Sequence, residues 1–265
     1  MTAKLRSILW AIRDVPRPII RRFRQPEFDE IELVHKLLRP HGPGLMVDVG
    51  AHQGGSLRPF AEDGWRVIAV EPDPHNRAVL LRRVAGMRNV LVDGRAVSHH
   101  DGEKVALYTS EVSTGISTLA PFHRSHVATD HVETVRLDTL LAEVGQVTVL
   151  KTDTEGWDLP VLQTFPWGRL HPLAVICEFE DHKTIPLGYD YHAVARYLAD
   201  LGYVVFTSEW YPVVEYGRRH RWRSIRRYPV ALNDARAWGN LVAVDDKLAE
   251  KLEFRVTKMR HQPRQ

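Results

Sequence analysis

Three carboxylates stand where apolar runs end. Asp48 lies in Leu45-Met46-Val47-Asp48-Val49, Glu71 follows Ile68-Ala69-Val70, and Asp153 follows Val149-Leu150-Lys151-Thr152. An ionised acid beside buried chain is costly unless a ligand or a cation compensates it, so these positions mark a candidate site. Asp48 leads into Gly50-Ala51-His52-Gln53-Gly54, a glycine-rich turn before a short helix over 56–63. Glycines there let backbone approach a ligand, and a helix N-terminus presents free N–H donors. The turn lacks both the Gly-x-Gly-x-x-Gly of dinucleotide sites and the Gly-Lys-Ser/Thr of phosphate loops, which disfavours NAD, FAD and ATP hydrolysis. Glu71, at the end of a second strand, suits acceptance of both ribose hydroxyls. Asp73, just before Pro74, has the position of a helix N-cap. Lys151, Asp153 and Glu155 alternate, so all three aim toward one face if the strand continues that far. Lys151 then offers itself as an ion-pair partner for its acidic neighbours.

The elements that must hold these residues follow from the hydrophobic pattern. Apolar positions from Phe28 to Leu38 recur at helical spacing and stop at Pro40, Gly42, Pro43 and Gly44. Strands are expected at 45–49, 66–70, 90–92, 105–108, 133–137, 147–151 and 173–177, with 203–206 and 241–244 as a closing pair. A helix from Pro74 to Val84 separates the second strand from the third. Nearly continuous apolar strands alternating with helices imply an α/β fold whose mostly parallel central sheet carries helices on both faces. Such a sheet binds ligands beyond the carboxyl ends of its strands.

Taken together, the motifs resemble the FkbM family of S-adenosylmethionine-dependent methyltransferases. The resemblance covers roughly residues 45–180. It rests on Asp48-Val49-Gly50-Ala51-His52-Gln53-Gly54, Glu71-Pro72-Asp73-Pro74, Gly115-Ile116-Ser117-Thr118-Leu119, Arg136-Leu137-Asp138-Thr139-Leu140, Lys151-Thr152-Asp153-Thr154-Glu155-Gly156 and Ile176-Cys177-Glu178. His52 stands where the family usually carries asparagine. The resemblance implies a Rossmann-like class I methyltransferase fold with S-adenosyl-L-methionine as cofactor. Its amino-acid part would lie along Gly50, Ala51, His52 and Gly54 with Asp48 beside them, its ribose on Glu71 near Asp73, and its adenine against Ala96. Asp153 would sit near the sulfonium or the amino group. The acceptor class it implies is a hydroxyl of a saccharide, glycolipid or polyketide-type natural product.

Methyl transfer to an alcohol needs a base for the hydroxyl proton. Asp153 and Glu155 are the nearest candidates by position, followed by Glu178; His99, His100, His123, His126, His131 and His182 lie in expected loops. The three acids could offer hard oxygen ligands, but their spacing is no metal motif, and no metal is expected.

Composition sets the outer bounds. The 265 residues, 44% hydrophobic and 26% charged, suit one globular α/β domain with extensions and exclude disordered, collagenous and coiled-coil chains. No apolar stretch approaches the roughly 18 residues of a membrane span. The lone Cys177 sits in an apolar run as an expected core thiol, fitting a reducing, cytoplasmic setting. Residues 1–26 form a basic arm, with Trp10 and Ile8-Leu9 among arginines, expected to allow peripheral contact with the inner face of an anionic membrane; Arg13 and Asp14 interrupt what a secretory signal would keep apolar. Residues 27–265 then form a single methyltransferase domain, within which the aromatic-rich 181–240 is the expected acceptor-binding cap. Arg218 to Arg227 could attract an acidic acceptor. Two other readings stay open: a nucleic-acid methyltransferase, which no Asn-Pro-Pro-Tyr signature supports, and an inactive module that binds cofactor or a partner.

Overall fold

The computed structural model of the protein describes residues 28–261 apart from Gly217. The basic arm lies outside the described residues. The chain runs α1 (Glu30–Leu38), β1 (Leu45–Val49), α2 (Arg58–Glu62), β2 (Arg66–Val70), α3 (Pro74–Arg83), β3 (Val90–Asp93), β4 (Ala96–Val97), β5 (Lys104–Thr109) and β6 (Val127–Val135). It continues with α4 (Leu137–Leu140), β7 (Val149–Thr152), α5 (Asp158–Gln163), β8 (Ala174–Glu180), α6 (Asp181–Thr184), α7 (Tyr191–Asp200), β9 (Val204–Trp210), β10 (Trp222–Arg227), β11 (Trp238–Val244) and α8 (Asp246–His261).

Eight strands form one sheet in the order β10-β9-β11-β8-β7-β1-β2-β3. From β3 to β8 every pairing is parallel, whereas β11 runs antiparallel between β8 and β9. Burial on both faces explains why β1, β7 and β8 read as unbroken apolar runs. One core layer joins Val34, Leu80 and Leu248 from α1, α3 and α8, and the opposite layer joins Leu137, Leu162 and Val194 from α4, α5 and α7. Helix starts follow local chemistry: Asp29, Asp73 and Asp190 each accept backbone N–H groups of the first turn. Cys177 is fully buried in β8.

Several expected boundaries move. The strand expected over 133–137 ends at Val135, because Leu137 already starts α4. β8 runs on to Glu180, which places Glu178 within a strand rather than at its end. The expected pair over 203–206 and 241–244 forms with Val205 opposite Ala243, but it extends to Trp210 and Trp238. β10 was not foreseen. Its arginines are held by Glu209 on the neighbouring strand: Arg223 and Arg226 lie 3.3 and 2.7 Å from a fully buried carboxylate that also accepts both N–H groups offered by Asn233. Of the expected cap, 181–240, much is therefore scaffold, since α7, β9 and β10 belong to the main layers. Among the described residues no helix is long and apolar enough to cross a membrane.

Between β3 and β7 the chain leaves the sheet. β4 pairs parallel with β6 and β5 antiparallel with it, sealed by Ala96, Leu107 and Val132. This small sheet carries the loop 110–126, which roofs the carboxyl ends of β1, β2 and β7 through the bonds given below.

Candidate active site

β1 and β7 finish side by side, Asp48 in register with Lys151 and Val49 with Thr152. Backbone continues from both, so only glycine fits next: a Cβ on Gly50 would stand 1.8 Å from the carbonyl oxygen of Asp153. Gly50 also has φ +76°, and a left-handed L-residue costs roughly 1–2 kcal/mol even without a clash. Gly50→Ala is therefore expected to lower the melting temperature by several degrees and to abolish cofactor binding, as differential scanning fluorimetry with and without ligand will read.

His52 follows with φ +48°. Histidine, like asparagine, is enriched in this conformation, which reconciles the imidazole with a turn where the family usually carries asparagine. The geometry aims the His52 N–H at Glu71 Oε2, 2.6 Å away, while Asp73 N–H reaches Oε1 at 2.8 Å. Glu71 is 5% exposed, and burial pushes its carboxyl up to about 7 against the lowering effect of those two N–H groups. Each oxygen keeps a lone pair for a further donor. The carboxylate lines a cleft of about 780 Å³ whose walls include Gly50, His52, Ala96, Val97, Trp157, Asp153 and Glu155, with Thr114 to Leu119 overhead.

The roof is tied to both sides of this cleft. His52 Nε2 and Thr114 Oγ1 are 3.0 Å apart, and Asn76 Nδ2 donates to the Thr114 carbonyl at 2.8 Å. Ser117 donates to Asp73 Oδ2 at 2.7 Å, and Thr118 to the Glu155 carbonyl at 3.1 Å.

Glu71, Gly50, His52, Ala96, Asp153 and Glu155 thus share one cavity, and the five other expected site residues, Asp48, Ala51, Gly54, Asp73 and Glu178, stand outside its lining. Asp73 caps α3, accepting from His75 and Asn76 N–H at 2.8 and 3.2 Å. Asp48 is fully buried, 3.1 Å from Lys151 Nζ and hydrogen-bonded by Ser56 Oγ; it anchors the turn from within. Burial opposes the charge on Lys151, but Asp48 and Asp153 outweigh it and hold the amine above the ordinary lysine range. Gly54 is required by packing, since a Cβ would approach Leu80 at 2.8 Å, and Ala51 is buried beside it. None of the six loop histidines considered as bases lines the cleft.

The expected alternation of Lys151, Asp153 and Glu155 does not persist, because β7 ends at Thr152. Glu155 instead adopts φ +57°, followed by Gly156 at +99°. This turn brings the Glu155 side chain to Lys183 and Glu178. Oxygens of Asp153, Glu155 and Glu178 lie within 4.8 Å of one another, and the Lys183 ammonium sits among them, 2.5 Å from Glu155 and 3.2 Å from Glu178. Burial pushes Glu155 up to about 7, the Lys183 charge working against it. Burial and the Glu155 charge push Glu178 well above the usual carboxylate range. Glu178 does not line the cleft, so Asp153 and Glu155 are the members of the cluster that a ligand meets.

Sequence reasoning missed Lys183, Trp157 and the roof contacts of Thr114 and Thr118. For Lys183 the signal was Glu180 three residues earlier; that pair is formed at 2.7 Å.

A doubly covered, mostly parallel sheet with a glycine turn after β1 and a buried acid after β2 defines a nucleoside-binding α/β enzyme fold. The Methyltransferase FkbM domain matches residues 48–205, and the chain belongs to the FkbM methyltransferase family. It is a methyltransferase with S-adenosylmethionine as its cofactor. No curated protein matches the chain. Among solved structures it is similar to the O-methyltransferase TomG from Streptomyces achromogenes, involved in tomaymycin synthesis and crystallised with SAM, at 13% identity over 82% of this chain and 79% of that one, TM-score 0.44. It is also similar to an rRNA methylase from Streptococcus thermophilus (13% identity, 84% and 100% covered, TM-score 0.44). A precorrin-6y C5,15-methyltransferase from Geobacter metallireducens GS-15 gives 11% identity, 81% and 87% covered, and TM-score 0.43.

Proposed function

We propose that the protein transfers the methyl group of S-adenosylmethionine to a hydroxyl of a saccharide, glycolipid or polyketide-type product. The observation that carries this reading is Glu155, a carboxylate on the cleft wall whose proton affinity lies near neutrality. A base tuned to the working pH is what an alcohol acceptor needs. The chain's residues fit the cofactor: Glu71, on the wall of the cleft, retains a free lone pair on each oxygen for the two ribose hydroxyls. Bound there, the cofactor supplies a methyl group already activated on a sulfonium.

The protein then aligns acceptor and methyl, excludes water, and takes the proton. Glu155, on the cleft wall, would accept the proton of the acceptor hydroxyl as that oxygen is methylated. Asp153 lines the same wall and is tied to Lys151 at 3.4 Å, an arrangement that suits it to an electrostatic role beside the sulfonium.

A nucleic-acid acceptor draws less support, because Arg223 and Arg226 neutralise Glu209 and Arg218 pairs with Glu215 at 2.8 Å. Mass spectrometry of products from pooled sugars, glycolipids and macrolides, with labelled cofactor, tests the reading. Glu155→Gln is expected to lower turnover about 10²–10⁴-fold, the usual worth of a general base, with cofactor affinity nearly unchanged. Full activity in that variant overturns Glu155 as the base.

A further inference from the structure

Lys183 is the least expected charge in the molecule. Its side chain is 2% exposed and touches three carboxylates, Glu155, Glu178 and Glu180, at 2.5, 3.2 and 2.7 Å. The ring of Phe122, carried by the roof loop, lies 5.0 Å from the ammonium. An aromatic face there favours the cation while shutting out water. Glu180 is engaged a second time by His182 Nδ1 at 3.0 Å.

We propose that Lys183 is a positioning residue for methyl transfer: anchored to Glu180 and backed by Glu178, its ammonium fixes the Glu155 carboxylate at the cleft wall, in the charged form that a base requires. The inference rests on Glu155 as the base of the proposed reaction. Three constraints converge on that residue. Its backbone is held at φ +57°, a conformation that persists in a non-glycine residue only where the surroundings enforce it. Thr118 grips its carbonyl from the roof, and Lys183 grips its carboxylate from α6.

The charges of the cluster divide unequally. Burial pushes Glu180 up, but His182 and Lys183 outweigh it and keep that acid below the ordinary range. Burial likewise opposes the charge on Lys183, yet Glu155, Glu178 and Glu180 together hold it well above the ordinary lysine range. One ammonium therefore faces two ionised neighbours when Glu155 is charged, with Glu178 protonated behind them. The other charged or titratable groups that face this site are Asp153 and Asp158 from the chain after β7, Cys177 from β8, His126 from the roof, Tyr189 from the segment before α7, and Tyr216 and His220 from the loop between β9 and β10. Lys183 touches both Glu155 and Glu180, the ionised pair of the cluster, so changing Lys183 or Glu180 moves the base in a sign that can be stated beforehand.

The experiment is a carboxyl-carbon NMR titration of the full chain labelled at glutamate, with the Glu155 resonance assigned by its loss in Glu155→Gln. Lys183→Met removes the compensating cation and is expected to raise the Glu155 midpoint by at least about one unit. Glu180→Gln removes the ionised like charge that shares the ammonium and is expected to lower it by at least about half a unit. Lys183→Arg keeps the charge and should hold the midpoint within about half a unit of wild type. Should Lys183→Met not fold, Glu180→Gln decides, since Lys183 there keeps Glu155 and Glu178. An unmoved midpoint in Glu180→Gln, or shifts of the same sign in both variants, overturns the proposal. The titration needs no acceptor, so opposite shifts without any methylated alcohol would uphold Lys183 and defeat the O-methyl reading instead.

Discussion

Glu71→Ala is expected to weaken S-adenosylmethionine binding at least about a hundredfold, read by calorimetry at pH 8. Two hydrogen bonds from ribose to an ionised acid contribute roughly 1.5–3 kcal/mol each, and removing both corresponds to two decades of affinity or more. The same residue gives binding a pH dependence. With its carboxyl pushed up to about 7 by burial, Glu71 loses its charge as pH falls below neutrality, and affinity should drop toward about tenfold per unit there. Glu71→Gln should flatten that dependence.

Stability of the cofactor-free chain moves the other way. The folded carboxyl has a higher proton affinity than an ordinary glutamate at 4.5, so its contribution is fully present below about 4.5 and is lost as pH rises through about 7, an effect of roughly 3 kcal/mol. Affinity that ignores Glu71 at every pH would remove the ribose assignment.

The largest stability effect is expected at Lys151. Its ammonium lies 3.1 Å from Asp48 and 3.4 Å from Asp153 and donates to the Gly50 carbonyl at 3.0 Å. Lys151→Met leaves Asp48 charged and fully buried, and breaking such a pair from one side costs about 3–5 kcal/mol. For a domain of this size that corresponds to a fall in Tm of roughly 10 °C. The double variant Asp48→Asn/Lys151→Met removes both charges and should recover much of the loss, because desolvation offsets most of a buried pair's attraction. A Lys151→Met protein that melts with wild type would show that Asp48 has another cation.

Lys151 also shows where reading the chain succeeds and where it stops. The strands, the glycine turn and the acid after β2 were legible, since burial on both sheet faces and the need for φ above zero leave marks in composition. The ion pair of Lys151 with its neighbour Asp153 was legible too, but its second partner was not. Asp48 faces it across the β1–β7 register, a pairing of positions 103 residues apart along the chain that no local spacing encodes. For the same reason Asp48 looked like a ligand contact, and Asp73 kept its capping role rather than a ribose one. Lys183 reaches Glu155 only because β8 runs to Glu180 before turning into α6. The strands that carry the roof were visible at 105–108 and 133–137, but its place above the cleft depends on tertiary contacts of Ser117 and Thr118. β10 hid inside an arginine run, whose surface-like composition gave no hint of the buried Glu209 beneath it.

The roof loop clasps the molecule at two chemically different points, Asp73 beside Glu71 and the backbone carbonyl of Glu155. Ser117 and Thr118, adjacent in the chain, therefore act as a single buckle across the two ends of the proposed site, where nucleoside recognition and proton removal are assigned. Substitutions in the buckle should disturb both operations at once, so redesign of acceptor preference without loss of nucleoside grip has to begin at other positions.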